Sequence, residues 1–414
     1  MAVFEREAAM QAWLSSELAK ASGLSDLIIN IDDFEDVTPK NFAEQRLLAS
    51  IRTCIESLGI TEVFSENENI SISDSEILKP DFVLYAPETE SIVIVELKNF
   101  SGASREAGTE LSAYAGEIRT SIPFIADGDI VYVIVSAEWP TLLKHYVRQE
   151  IFWQHRNLIC LRPIAEGESV KLEILGLDEL SEGDPTFKIS VQHLGGYQIC
   201  LYDDELYGKG ADRARLDQYE TQFRTALQAM ATTGNRLNSH GFAVLWKDHA
   251  EFSLAPYSIT VMNLAPFQSV ERFLHIENEE IPVIIKRFMS LVKEYGPEGH
   301  GNALELVTRA AESFLKKVCS PQVEGFTHWG EHQHIMSGRA ENLAFVGWGL
   351  FGEALFARLQ EEYEAGNTAC SATAPHLGLS VVSEIVDNTY EFVDLTYIDF
   401  GDEGDEGDPV SAVP

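Results

Sequence analysis

The chain has 414 residues, which is more than one ordinary domain needs, so we expect two or three domains. Hydrophobic residues make up 45% of it and charged residues 23%, which is typical of a folded globular protein. No apolar run is long enough to span a bilayer, so we expect no membrane contact. The five cysteines are widely spaced, which favours reduced thiols in a cytoplasmic protein. The net charge is -36, and residues 1–165, 166–350 and 351–414 are each net negative, which argues against broad electrostatic contact with nucleic acid.

Helix and strand patterns alternate over the first 165 residues. An amphipathic pattern at 4–20 predicts a helix, and Thr38 with Pro39 predicts the start of a second helix that ends before Gly59. The following predicted elements are strands at 60–65, 81–86 and 91–98, a helix at 103–119, a strand at 130–136, a helix at 140–153 and a strand at 157–161. This order predicts an α/β fold in which helices flank a mixed sheet.

An acidic, glycine-containing loop near residues 177–184 indicates a boundary between 165 and 190, and we place the domains at 1–165 and 166–400. The second region is also predicted to be α/β, with helices near 210–231, 279–295, 301–318 and 340–364 and strands near 197–202, 241–247, 257–263 and 379–399. We expect it to sense a ligand, to form a homodimer or to bind a partner protein. Residues 401–414 are acidic and glycine-rich, which predicts a disordered tail.

The hairpin at 81–98 carries charged residues at one end. Side chains alternate between the faces of a strand, so Glu96 and Lys98 share a face after an apolar run. A turn centred on Glu88-Thr89 would place Asp81 directly across from Glu96. Opposed Cβ atoms lie about 4.5–5.5 Å apart, and two carboxylates that close repel unless a cation lies between them. A hard divalent ion such as Mg²⁺ (or Mn²⁺), which needs only one or two protein carboxylates, suits this position.

Lys98 and Glu44 extend this set. Lys98 would either orient or deprotonate the attacking water or stabilise negative charge on a phosphate. Glu44 lies one turn before Leu47 and Leu48, on the core-facing side of its helix. We expect it to be a further metal ligand; the alternative is a surface glutamate near a helix N-terminus, where its charge is favourable anyway. Together these residues predict a phosphodiester hydrolase with Asp81, Glu96 and Lys98 as its catalytic residues.

The segment Pro80-Asp81, followed after fourteen residues by Glu96-Leu97-Lys98, resembles the signature of the PD-(D/E)XK nuclease superfamily. The order of elements resembles the αβββαβ core of that superfamily, and the resemblance covers about residues 38–162. It implies a restriction-endonuclease-like fold that hydrolyses DNA phosphodiester bonds with Mg²⁺ or Mn²⁺. Nuclease domains joined to unfamiliar domains are frequent in bacterial defence against phage, so the analogy suggests such a role here.

The resemblance also implies roles for individual residues. Lys98 would be the catalytic lysine, and the metal ligands would be Asp81, Glu96, Glu44 and the backbone carbonyl of Leu97. Some branches of the superfamily carry Gln-x-x-x-Tyr on the helix after the motif. Here Tyr114 matches the tyrosine and Glu110 replaces the glutamine. Tyr114 would either contact substrate or pack in the core.

A basic patch on the helix at 140–153 is a second candidate for substrate binding. Lys144 and Arg148 lie four residues apart on one helix face, so they either contact the phosphate backbone of DNA or balance surface charge. In the second region, three histidines stand close together beside Glu331: His328, His332 and His334. Their spacing fits no tight zinc pattern, which favours ordinary loop or core histidines.

Two functions of other classes remain open. The chain would be a catalytically silent, acidic interaction protein if it keeps a nuclease-like fold without metal binding. It would be a ligand-responsive regulator if its main activity lies in residues 166–400.

Overall fold

The computed structural model describes residues 3–39, 42–73, 77–99, 104–167, 169–181, 189, 191–203, 212, 214–250, 253–264, 283, 287, 291 and 301–386. The chain divides into two compact units, Met1–Phe187 and Lys188–Pro414. Each unit contains helices and one sheet, which confirms the predicted α/β class. Among the described residues, no helix is both long enough and apolar enough to cross a membrane.

The first unit contains a six-stranded mixed sheet with strand order β1-β2-β3-β4-β5-β6. Strands β3, β4 and β5 are parallel to one another, and the other neighbouring pairs are antiparallel. The strands are Glu62–Glu66, Phe82–Ala86, Ser91–Lys98, Ile130–Ser136, Asn157–Glu166 and Ser169–Ile174. The helices α1 to α5 are Glu7–Leu18, Phe42–Leu58, Ser104–Ser121, Thr141–Arg148 and Leu177–Ser181. The predicted order of elements from α2 to β5 is confirmed.

Helices pack on both faces of this sheet. Val93, Val95 and Leu97 of β3 belong to the core that α1 and α2 cover, whereas Ile94 belongs to the core that α3 and α4 cover. Strand β4 lies in the middle and is buried along its whole length, which explains its uninterrupted apolar sequence.

The first unit extends beyond the predicted boundary at residue 165. That residue lies inside the β5–β6 hairpin, and Leu172 and Ile174 of β6 are buried in the same core as the rest of the sheet. The division after Phe187 lies within the predicted range of 165 to 190, but the domain limit at residue 165 is too early, because β6 completes the first sheet.

The second unit contains a five-stranded antiparallel sheet with strand order β10-β7-β9-β8-β11. Strands β7 to β11 are Leu194–Tyr202, Gly241–Asp248, Tyr257–Leu264, Ser320–His328 and Ala340–Trp348. Among the described residues, the longer helices α6 to α10 are Glu220–Arg236, Gly301–Leu315, Trp329–Met336, Leu350–Glu364 and Pro375–Ile385. Helices α6 and α7 cover one face of the sheet.

Two predictions for the second unit are wrong. Strand β11 occupies the first part of the helix predicted at 340–364, and α10 overlaps the strand predicted at 379–399. The buried half of β11 begins with the uninterrupted apolar run Ala344-Phe345-Val346, which has no clear period of two and is easily mistaken for part of a buried helix. Most of the helix predicted at 279–295, the stretch 387–399 and the tail at 401–414 lie outside the described residues.

Candidate active site

The register of the β2–β3 hairpin places two acids opposite each other. Phe82 pairs with Val95, and the same register continued by one residue brings Asp81 across from Glu96. Asp81 Oδ2 accepts a hydrogen bond from the backbone N–H of Leu97 at 2.7 Å. The predicted register is confirmed, and Asp81 and Glu96 are called the carboxylate pair below.

Lys98 lies beside this pair on the sheet face that α3 covers. Only 3% of Glu96 and 5% of Lys98 is exposed to solvent. Lys98 Nζ donates to Glu96 Oε1 at 2.5 Å and to Glu110 Oε2, on α3, at 2.8 Å. The ammonium therefore lies between two carboxylates of different elements, and Glu110 is a residue that the sequence analysis did not assign to the site.

The electrostatics of the cluster favour a cation. Burial raises the pKa of Glu96 to about 9, and the nearby charge of Asp81 adds to the shift. Burial also raises the pKa of Asp81 to about 6, partly offset by the hydrogen bond from Leu97. Burial alone would lower the pKa of Lys98, but Glu96 and Glu110 outweigh it and hold that pKa above its ordinary value. The site thus keeps an ammonium, and Glu96 holds a proton more readily than an ordinary glutamate where no further cation is bound.

One oxygen of the carboxylate pair has no partner. Glu96 Oε2 is buried and makes no hydrogen bond with the described residues. A buried acceptor without a partner is costly, so it suggests a ligand that supplies positive charge. The N–H and C=O of a paired strand residue point to the same side, so the carbonyl of Leu97 lies towards Asp81, whose side chain its N–H contacts. Two carboxylates and a carbonyl form an all-oxygen donor set of the kind Mg²⁺ takes.

No group of three or more His, Cys, Asp or Glu side chains within the described ranges is arranged to hold a metal. The predicted fourth ligand, Glu44, is buried, and Arg46, two residues after it, donates to the carbonyl of Phe152, just before β5. Helix α2 runs along the end of the sheet where β5 begins, because Ser50 Oγ donates to the carbonyl of Leu158 at 2.9 Å. Its last turn reaches the β2–β3 turn, at the same end of the sheet, through the contact of Ser57 with Thr89. Glu44, at the start of α2, is therefore not brought to the carboxylate pair at the other end of β3.

An acid from α1 approaches the pair instead. The charge of Glu7, the first residue of α1, contributes to the raised pKa of Asp81, after the effects of burial and Leu97. The segment that precedes α1 is tied to the end of β3, since Asn99 Nδ2 donates to the carbonyl of Phe4 at 3.2 Å. In the sequence, Glu7 is marked only as an acid in the first turn of a helix, a pattern too common to identify a site.

The hydroxyl of Tyr114 makes a hydrogen bond within the protein. Its hydroxyl donates to the carbonyl of Lys79 at 3.0 Å, so it fixes the backbone just before Asp81. Burial raises the pKa of this tyrosine, and the charges of Glu96 and Glu110 add to the shift. Tyr114 therefore positions the Asp81 segment, and its buried ring agrees with the predicted alternative of core packing, whereas its contact with substrate stays a prediction.

We expect the substitution Tyr114→Phe to destabilise the protein by about 1 kcal/mol, because it removes one hydrogen bond and keeps the ring in the core. Loss of a group that orients a ligand should also weaken Mn²⁺ binding by roughly tenfold. Thermal unfolding and calorimetric Mn²⁺ titration measure the two effects. Tyr85→Phe, which alters an exposed tyrosine of the same hairpin, is the matched control and should change neither. Unchanged Mn²⁺ affinity in Tyr114→Phe would contradict the positioning role.

Lys144 and Arg148 do not reach the carboxylate pair. Arg148 Nε donates to the carbonyl of Leu180 at 2.7 Å. A hydrogen bond from Arg162 holds the pKa of Glu179, a residue of α5, below its ordinary value, and the nearby charge of Lys144 contributes. Lys144 therefore also faces α5. The two basic residues do share a helix face, as predicted, but that face is directed at α5.

Two of the three histidines beside Glu331 have structural roles. His332 is buried, its Nε2 lies 3.1 Å from the carbonyl of Gly196, and burial lowers its pKa. His328 caps helix α8, because its Nδ1 accepts from the backbone N–H of Glu331.

Comparison with known proteins gives no relative for this chain: no protein-family model matches its sequence, no curated protein matches it, and no solved structure matches its fold. The arrangement of Asp81, Glu96 and Lys98 therefore has to be interpreted from its own chemistry. That arrangement consists of a half-buried aspartate opposite a buried glutamate, one oxygen of which has no hydrogen-bond partner among the described residues, beside a buried ammonium.

Proposed function

We propose that this chain is a metal-dependent nuclease that hydrolyses DNA phosphodiester bonds at the carboxylate pair, on a restriction-endonuclease-like core. The observation that carries the proposal is the opposed Asp81 and Glu96, with the unpartnered Glu96 Oε2 and the ammonium of Lys98 beside them. A stability argument does not account for this cluster, because two buried ionisable groups at the end of an apolar strand, with a half-buried aspartate opposite them, cost free energy.

Each residue of the cluster has a distinct role in the proposal. Asp81, Glu96 and the carbonyl of Leu97 would hold Mg²⁺ or Mn²⁺, which when bound polarises a phosphoryl oxygen and lowers the pKa of water. Lys98 stabilises the negative charge that develops on the phosphate oxygens, since its surroundings keep it an ammonium. Tyr114 holds the backbone that presents Asp81.

The net charge of -36 limits how substrate is held. Long-range attraction of DNA to such a chain is unfavourable, so contact must be local and must depend on the bound cation. We therefore expect that the divalent ion contributes to substrate binding as well as to chemistry.

The decisive assay uses the purified full-length protein on circular DNA, linear DNA and RNA, with Mg²⁺, Mn²⁺ or EDTA. We expect cleavage of DNA that requires the divalent ion and that Asp81→Asn reduces at least 100-fold, because a ligand of the ion is lost. Asp33→Asn, an exposed aspartate on another part of the first unit, is the matched control. No cleavage of any substrate with either ion, or equal cleavage by Asp81→Asn, would refute the proposal.

A silent interaction protein is the second candidate, and one observation favours it. Lys98 already bonds Glu96, so the cluster is partly neutralised without any metal ion. Calorimetric titration with Mn²⁺ separates the two candidates, since a silent scaffold has no need to bind the ion at Asp81 and Glu96.

A further inference from the structure

Lys98 has two carboxylate partners that differ in kind. Glu96 lies two residues away on the same strand and is buried, whereas Glu110 comes from α3 and its side chain is 36% exposed. Both contacts are within hydrogen-bond distance of the same ammonium nitrogen. Only Glu96 also belongs to the carboxylate pair.

A divalent cation at the pair would compete with Lys98 for Glu96. Two positive charges a few ångströms apart repel, and the carboxylate of Glu96 would be drawn towards the ion with the higher charge. An ammonium on a side chain as buried as Lys98 needs a partner, because a buried charge without one is strongly destabilising. Glu110 is placed to supply that partner.

The helix that carries Glu110 is held firmly on both sides of this residue. Two residues earlier, Gly108 lies against the ring of Tyr146, and a Cβ there would come within 2.7 Å of the ring. One turn later, Tyr114 bonds the carbonyl of Lys79. The carboxylate of Glu110 is therefore presented from a fixed position, which a residue that positions another group requires.

We propose that Glu110 is a positioning residue that keeps the Lys98 ammonium in the site when a divalent cation takes over Glu96. A carboxylate suits this task better than an amide, because its hydrogen bond with an ammonium is charge-assisted and roughly twice as strong as a neutral one. The inference rests on the proposed function, because it needs the cation to bind at Asp81 and Glu96.

The first test measures how fast Lys98 is acylated by an amine-reactive reagent, read from its peptide by mass spectrometry. We expect slow acylation in the wild type with and without Mg²⁺. In Glu110→Ala it should stay slow without metal, because Glu96 remains, and should rise about tenfold with saturating Mg²⁺. With Mg²⁺, the acylation rate of Lys98 in Glu110→Gln should lie between those of the wild type and Glu110→Ala. Slow acylation in Glu110→Ala with Mg²⁺, or fast acylation without it, would overturn the inference.

A second set of variants needs no metal. Glu96→Ala removes the first partner and should leave Lys98 protected through Glu110, whereas the double variant Glu96→Ala/Glu110→Ala should expose it. Equal acylation in the single and double variants would contradict a role for Glu110.

Kinetics give the third readout. Glu110→Ala should lower kcat by about 100-fold with KM changed by less than about threefold, and Glu110→Gln should recover part of the loss. Glu117→Ala, on the same helix and bonded to the backbone of Ile72, is the control and should retain activity.

Calorimetric titration of the wild type with Mg²⁺ distinguishes failure of this inference from failure of the proposed function. If Mg²⁺ does not bind, the proposed function and this inference both fail. If Mg²⁺ binds but the acylation of Lys98 does not depend on Glu110, only this inference fails.

Discussion

Replacing Lys98 with methionine should lower kcat for DNA hydrolysis by about 10³-fold while the protein remains folded. The ammonium is the one positive group that the described residues bring to the carboxylate pair, so its loss removes the stabilisation of charge on the transferred phosphate. Methionine is unbranched and of similar length, so it occupies much of the same space without the charge. Binding of Mn²⁺ should persist or strengthen, since a competing positive charge is gone.

Single-turnover cleavage and calorimetric Mn²⁺ titration measure the two halves of this prediction. Lys20→Met is the matched control, because Lys20 is exposed and its ion pair with Glu17 contributes little. Activity of Lys98→Met within about threefold of the wild type would remove Lys98 from the mechanism. Loss of Mn²⁺ binding together with activity would instead indicate that Lys98 supports the fold of the site.

The parts of the site that the sequence predicts are those that local rules determine. The side-chain alternation of β3 puts Glu96 and Lys98 on one face, and the length of the β2–β3 turn fixes Asp81 opposite Glu96. These two rules act within eighteen residues of chain, so they need no knowledge of how helices pack.

Glu44 shows where such rules end. Its position on the buried side of α2 is as expected, but the periodicity of a helix says nothing about which end of the sheet the helix covers. That placement depends on distant contacts, among them the bond from Ser50 to Leu158, 108 residues away. Glu7 and Glu110 join the cluster for the same reason, since α1 and α3 are placed by packing against the sheet.

Replacing Glu96 with glutamine tests the metal site through stability. Glutamine does not titrate, whereas the pKa of Glu96 rises from 4.5 to about 9 on folding. Between these pH values the unfolded chain has released the proton that the folded protein keeps, so metal-free wild type loses stability as pH rises. The melting temperature of Glu96→Gln should therefore exceed that of the wild type by a margin that grows from pH 5 to pH 9.

With Mg²⁺ bound, the wild type should instead melt at a higher temperature than Glu96→Gln. At about 100 times its dissociation constant the ion stabilises a protein that binds it only when folded by about 3 kcal/mol, and Glu96→Gln should show none of this gain. Binding must also displace the proton of Glu96, so wild-type affinity should increase with pH up to about 9. Thermal unfolding of both proteins from pH 5 to pH 9, with and without Mg²⁺, measures these effects: the difference in melting temperature without metal, the stabilisation by Mg²⁺ and its dependence on pH. If Mg²⁺ stabilises the glutamine variant as much as the wild type, the ion binds elsewhere; if it stabilises neither, the cluster is an ion pair without a metal and the silent interaction protein becomes the better description.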